Sequence, residues 1–277
     1  TSGSRLRVTA QLTDVATGFH LWSERFDREA TDIFAVQDEI AAGVVEAVRA
    51  RLGTGRRAVH ARPHAASIEA YRAYLTGRYL RHSKNDHHGA MQAFEEAVRL
   101  DPSHAPSWVG LAEGAVLAAL YGVLPAGAAS AKARNALMRA QRLQGDSAEA
   151  LAVEGLAAFC ERRWRDAETA FRRALELEPD NVHALVPFGQ ILGIWAAHDE
   201  GQAGLARARA ADPLAALPYA ASGAGLLLAR RRDEAQGFFE RALAVEPENT
   251  LALWGSCMAL VALGRFDEGV ALATQAA

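Results

Sequence analysis

The apolar positions of this chain change their period part-way along it. Over residues 5 to 13, Leu6, Val8, Ala10 and Leu12 alternate with Arg5, Arg7, Thr9 and Gln11, the period of a half-buried strand. Asp14 to Gly18 is rich in turn residues, and Phe19 to Phe26 resumes as a strand, so a β-hairpin is predicted. Trp22 and Phe26 fall on the side opposite Phe19 and Leu21. Two strands alone are marginal in water, so this one needs cover on both faces. The pattern then turns helical: Ile33, Val36, Ile40, Val44 and Val48 recur down one side to Leu52, behind a cap at Thr31 or Asp32. This helix is expected to pack on the hairpin. Residues 53 to 67, GTGRRAVHARPHAAS, have no apolar periodicity and read as a linker, which places the domain boundary there.

From Ile68 onward the spacing is helical throughout, and it repeats. Pro179, Pro213 and Pro247 end helices at intervals of 34 residues, and Ala167, Phe171 and Ala174 ahead of Pro179 mark the same unit. Residues 148–181, 182–215 and 216–249 are full-length copies. A first copy, 68–104, carries Ala90, Phe94, Ala97 and Pro102. A second, 105–147, carries about nine extra residues around Tyr121 to Ala129 and ends at Gly145 instead of proline. A sixth, 250–277, stops within its second helix, and the chain starts at Thr1, so both ends read as cut. Gly155, Gly189 and Gly223 occupy one place in successive first helices. There a missing side chain lets paired helices approach, while Phe171, Leu205 and Phe239 fill the gap that remains.

Trp108-x-x-Leu111-Ala112, and Ala-x3-Phe-x2-Ala-x4-Pro in three of the copies, resemble the tetratricopeptide repeat (TPR) family over residues 68–277. The resemblance implies a mainly α fold: a solenoid of antiparallel helix pairs in a right-handed superhelix, with first helices lining a concave groove that binds peptides or partner domains. Residues 1–52, RLRVTAQLTDVATGFHLWSERFDREATDIFAVQDEIAAGVV above all, resemble the C-terminal half of the TolB-like or FlgO-like α/β domain of bacterial TPR proteins. AYRAYLTGRYL is similar to how the repeats of that group open. Those proteins often begin with a nucleotide cyclase, a kinase or a winged-helix DNA-binding domain. The resemblance therefore implies a regulatory or sensory role for these residues and places catalysis or DNA binding upstream.

Composition narrows this without redirecting it. Half of the residues are hydrophobic and 23% are charged, an ordinary globular balance. A net charge of −3 gives no basic surface for nucleic acid. Lys84 and Lys132 are the only lysines among many arginines and alanines, which suggests GC-rich bacterial coding. Cys160 and Cys257 are far apart within predicted helices and read as buried, reduced thiols. No apolar run is long enough for a membrane helix and no signal peptide is recognisable, so the expected location is cytoplasmic.

Candidate chemistry is sparse. His82, Asp86, His87 and His88, with His60 and His64 in the linker, are the nearest thing to a metal cluster. Adjacent histidines diverge on a helix, however, so a solvated turn is the better reading. Carboxylates such as Glu95, Glu96, Glu176 and Glu178 lie beside arginines on helix surfaces and read as salt-bridged faces. No nucleotide loop, nucleophile elbow or cofactor motif occurs, so no enzyme activity, cofactor or metal is expected of these residues.

Function is assigned instead to the groove that the TPR resemblance implies. Its lining is expected to be Tyr71, Tyr74, Arg78 and Arg81 in the first repeat, then Val109 and Glu113, then Leu156 and Phe159. Val186 and Gln190 follow, then Ala224 and Leu227, and finally Trp254, Met258 and Val261. It runs from polar and aromatic to apolar, which suits a protein or peptide partner. Tyr74 and Arg78 stand where chaperone-binding TPR domains carry other residues, so that activity is not expected. Self-association through the hairpin edge or the uncapped last repeat is the remaining partner expectation.

Overall fold

The computed structural model describes residues 5–13, 20–29, 68–83 and 86–275. The chain divides into two units, 1–64 and 65–277. In the first, β1 (Arg5–Thr13) and β2 (His20–Glu29) pair antiparallel, with Val8 opposite Phe26 and Leu12 opposite Trp22. The ladder is irregular between Leu12 and Thr13. Val8, directly opposite Phe26, therefore shares its face, and Phe26 is buried. β2 runs three residues past the predicted end at Phe26. The predicted turn over 14–18, the helix over 33–52 and the linker over 53–67 lie outside the described residues.

The second unit contains, among the described residues, twelve helices that alternate as first and second members of six pairs. They are α1 (Ile68–Ser83) and α2 (His87–Leu100), α3 (Ala105–Leu120) and α4 (Ala126–Gln144), α5 (Ala148–Cys160) and α6 (Trp164–Leu177), α7 (Val182–Ile194) and α8 (His198–Ala211), α9 (Ala216–Leu228) and α10 (Arg232–Val245), and α11 (Thr250–Ala262) and α12 (Phe266–Gln275). Each first helix packs on its own partner, and the inner ones pack also on the second helix before them and on the next first helix.

Local chemistry sets the helix ends. Asn181 and Asn249, at equivalent places, accept hydrogen bonds from the amides of Ala184 and Ala252 at 3.0 Å, and Ser147 caps α5 in the same way. Such a cap is worth about 1 kcal/mol. First helices end in a left-handed residue: Arg162, Ala196 and Arg230 have φ of 61°, 63° and 60°. The Arg163 amide then reaches back to the Ala158 carbonyl at 2.9 Å, and the Arg162 amide to that of Phe159 at 3.0 Å. This pair of bonds is the Schellman closure. Gly264 takes the same place in the last pair, with φ of 78°.

Packing follows the small–large pattern of the sequence. A Cβ placed on Gly155 would come within 2.8 Å of the Phe171 ring, and one on Gly189 within 2.7 Å of Leu205. Phe94 lies against both Gly77 and Gly110, and Phe239 against both Gly223 and Gly255, so these two rings wedge one repeat to the next. Phe171 instead stacks on Phe188 of the following repeat, with centroids 5.2 Å apart. All three phenylalanines are at most 1% exposed, and burying such a ring is worth roughly 1.5–3 kcal/mol in transfer free energy. The extra length of the second repeat becomes helix rather than loop. α3 and α4 have 16 and 19 residues where the pair α5 and α6 has 13 and 14. Cys160 is exposed at the end of α5, contrary to the expected burial, because it is the last helical residue before the turn. Cys257 is half-buried, and both cysteines are free. No helix among the described residues is long and apolar enough to cross a membrane.

Candidate protein-binding groove

Four first helices converge on one cleft. Tyr74, Arg78 and Arg81 come from α1, Val109 and Glu113 from α3, Glu149 and Leu156 from α5, and His183 and Pro187 from α7. Each helix contributes because its two ends are held: the second helix lies behind it and the next first helix beside it, which leaves one stripe uncovered. At the polar end Tyr74 is half-buried. Its ring meets His104 edge-on at 5.0 Å and Phe94 at 6.0 Å, which fixes its orientation. The Arg78 guanidinium lies over the Tyr74 ring, 5.9 Å from its centroid, and the Tyr71 ring centroid is 6.1 Å from that of Tyr74. Arg81 is ion-paired with Glu113 across the repeat boundary, and both side chains are largely shielded, at 12% and 19% exposure. Shielding of this kind makes removal of a single partner costly, because it strands the other charge. The cleft thus has a fixed internal ion pair and, above it, a cation–π pair that a ligand can reach.

The sequence-predicted lining does not all meet there. Tyr74, Arg78, Arg81, Val109, Glu113 and Leu156 share the cleft, although Val109 is only 5% exposed and contributes floor rather than contact area. Val186 is a correction. It is 3% exposed and packs with Leu185, Leu205, Ala208 and Ala221, so it is a core residue. Pro187, one residue on, lines the cleft in its place. Phe159 does not line the cleft; its ring packs with Trp164 at 5.3 Å and with Trp195 at 6.5 Å near the turns between paired helices. Gln190 and Ala224 are half-buried outside the cleft, and Leu227 is half-buried against the core of the last two repeats. Trp254, Met258 and Val261 are exposed, at 61%, 46% and 49%.

Sequence reasoning missed Glu149 and His183. Both follow the helix start by one residue and are spaced by the repeat period, as Leu217 and Leu251 also are. Extending the period to that position was the available signal.

The histidine-rich stretch is resolved in part. The Asp86 carboxylate accepts from the Gly89 amide at 2.8 Å as the cap of α2, and His88 bonds to Gln92 at 3.1 Å. His87 stacks on Tyr121, centroids 4.5 Å apart. Burial, then the nearby Arg81 charge, lowers the His87 pKa below its ordinary 6.5, against smaller opposing effects of Asp86 and Glu113. His60 and His64 lie outside the described residues, as does the His82 side chain. Of the surface carboxylates, Glu96 pairs with Arg99 and Glu95 with Lys132, while Glu178 accepts from the side chain of Asn181.

Comparison with known proteins agrees with this architecture. Residues 148–181 and 77–104 match the tetratricopeptide repeat family. A thermophilic TPR protein of Thermus thermophilus superposes with a TM-score of 0.57 at 17% identity, over 69% of this chain and 99% of that one. A monomeric mutant of IFIT1, solved with m7Gppp-AAAA, gives a TM-score of 0.63 at 15% identity, over 88% of this chain and 57% of that one. Identities this low show the fold alone. Residues 68–275 are a tetratricopeptide-repeat solenoid. A curated relative, "Putative adenylate cyclase 3" of Rhizobium meliloti (strain 1021), is 33% identical over 112 residues. That match covers 40% of this chain and 19% of the relative, so this chain corresponds to about a fifth of its length.

Proposed function

We propose that this chain is a non-catalytic interaction scaffold that holds a peptide or a partner domain in the concave groove, as the regulatory part of a bacterial signalling protein. The observation that carries the reading is the cleft itself. Its lining residues differ from repeat to repeat while the residues behind them keep their pattern, so the scaffold is held fixed and the contact surface varies. Tyr74 and Arg78 combine ring area with directional donors, the residue types that dominate interface energies. A random peptide library selected on the chain tests it. Replacing Tyr74 and Arg78 together by alanine should abolish binding of the selected peptides while the chain keeps its helical circular dichroism and a cooperative thermal transition, the midpoint falling only by what the lost Tyr74 packing costs. Peptides that bind the double variant as before would refute the groove.

The likeness to a protein named as an adenylate cyclase favours a second, compatible reading, in which these residues are the C-terminal part of a cyclase and the first unit is the end of a TolB-like domain. The sequence adjoining Thr1 in the intact protein decides this. A cyclase, kinase or winged-helix domain there supports it, and a chain without one removes it.

A further inference from the structure

The side of the array formed by second helices carries a regular row of arginines. Arg139, Arg173, Arg207 and Arg241 stand at equivalent places, each one residue before the small alanine that packs the second helix. Two of them are bonded to the repeat before. Arg173 pairs with Asp146 at 2.7 Å and Arg207 donates to the Pro179 carbonyl, while Arg241 lies over the Tyr219 ring of its own repeat, 5.8 Å from its centroid. Arg139 has no contact of either kind. Its preceding loop offers Asp101, but that carboxylate is buried and accepts from the Ser103 amide and hydroxyl at 2.9 and 2.6 Å. Among the described residues Arg139 makes no hydrogen bond or ion pair, and neither does Arg142 one turn further along α4.

Both arginines border a cleft of about 330 Å³ whose other walls are Val98, Pro102, Trp108 and Leu143. The Trp108 indole N–H is already used, donating to the Pro102 carbonyl at 2.9 Å, so the ring is fixed and contributes apolar surface. A volume of this size is in the range of small-ligand sites, which join an apolar lining to a few placed polar groups. Two exposed guanidinium forks with no partner among the described side chains suit carboxylate or phosphate, and an indole wall suits a flat apolar body.

We propose that this cleft, on a different face of the array from the groove, binds an oxyanion carried on a flat apolar body, either an aryl carboxylate or a nucleoside phosphate. The test titrates the full chain with indole-3-acetate, with adenosine monophosphate and with inorganic phosphate. The side-chain N–H resonance of Trp108, assigned by its loss in Trp108→Phe, is the readout. Saturable shifts with one or both organic probes are expected, and which probe acts identifies the source of the anion. Arg139→Gln and Arg142→Gln should each weaken binding roughly tenfold at an unchanged thermal midpoint. Failure of both organic probes, an equal shift with inorganic phosphate alone, or undiminished binding by the two variants would each overturn the proposal.

Discussion

Replacing Phe171 by alanine examines how much of the array's stability rests on one interlocking ring. Phe171 is fully buried, fills the space left by Gly155 and stacks on Phe188 of the next repeat. Substitutions of this type cost about 3–5 kcal/mol, since the transfer free energy of the ring is lost and a cavity remains. The stacked pair accounts for about 0.5–1.5 kcal/mol of that. For an array of this length the midpoint should fall by roughly 2–4 °C per kcal/mol, or about 10 °C in all. Because each repeat contacts only its neighbours, the loss also weakens the coupling across the array, and the urea dependence should become shallower. Far-ultraviolet circular dichroism during heating and urea titration measures both. Two controls give the result its meaning. Phe171→Leu copies the fourth repeat, where Leu205 meets Gly189, and should cost about 1–1.5 kcal/mol. Arg231→Ala removes a solvent-screened surface pair with Glu234 and should leave the midpoint close to that of the unaltered chain. If Phe171→Ala lost no more than the Arg231 control, or Phe171→Leu lost as much as Phe171→Ala, the wedge argument would be wrong.

Two further outcomes follow from the backbone and from titration. Ala196→Gly should raise stability by roughly 0.5–1 kcal/mol, because a left-handed residue with a Cβ is strained where Gly264 is not; an unchanged or lower urea midpoint would contradict this. His87 is held neutral in the folded chain, with its pKa below the unfolded 6.5. In the window between those values the unfolded chain binds more protons, so stability is complete above the unfolded value and declines as pH falls through the window. His87→Phe keeps a ring on Tyr121 and removes the proton site. It should therefore lose less stability than the unaltered chain between neutral pH and about pH 5 by urea melts, and parallel losses would exclude His87 as the source.

The sequence carried the solenoid because packing repeats when architecture repeats. Ala167, Phe171, Ala174 and Pro179 and their equivalents are constrained by the same neighbours each time, so their spacing shows the helix pairs before any coordinates. The left-handed turn residues left no such trace, since arginine stands at two of the three sites and alanine at the third, where glycine would have marked the conformation. Groove and core were separable only in part. Val186 and Pro187 are adjacent and both apolar, and the rotation that buries one against Leu205 and turns the other to the cleft depends on how α7 sits on α8. Glu113 was visible as a groove residue; that Arg81 closes on it across a repeat boundary was not, because the long α3 sets that approach.

The wedges differ from one joint to the next. Phe94 and Phe239 each engage glycines on two first helices, and Phe171 engages Gly155 and Phe188, whereas the one glycine against Leu205 is Gly189. The cluster it anchors, with Leu185, Val186, Ala208 and Ala221, has no aromatic ring. Polar contacts hold the joint between the fourth and fifth repeats instead: Gln202 donates to the Ser222 carbonyl at 2.9 Å and Arg209 to the Ser222 hydroxyl. That joint lies between the polar, aromatic cleft and the exposed Trp254 and Met258. A partner long enough to touch both would thus bridge a joint tied by directional hydrogen bonds rather than by an interlocking ring, and would meet its two ends at a fixed spacing.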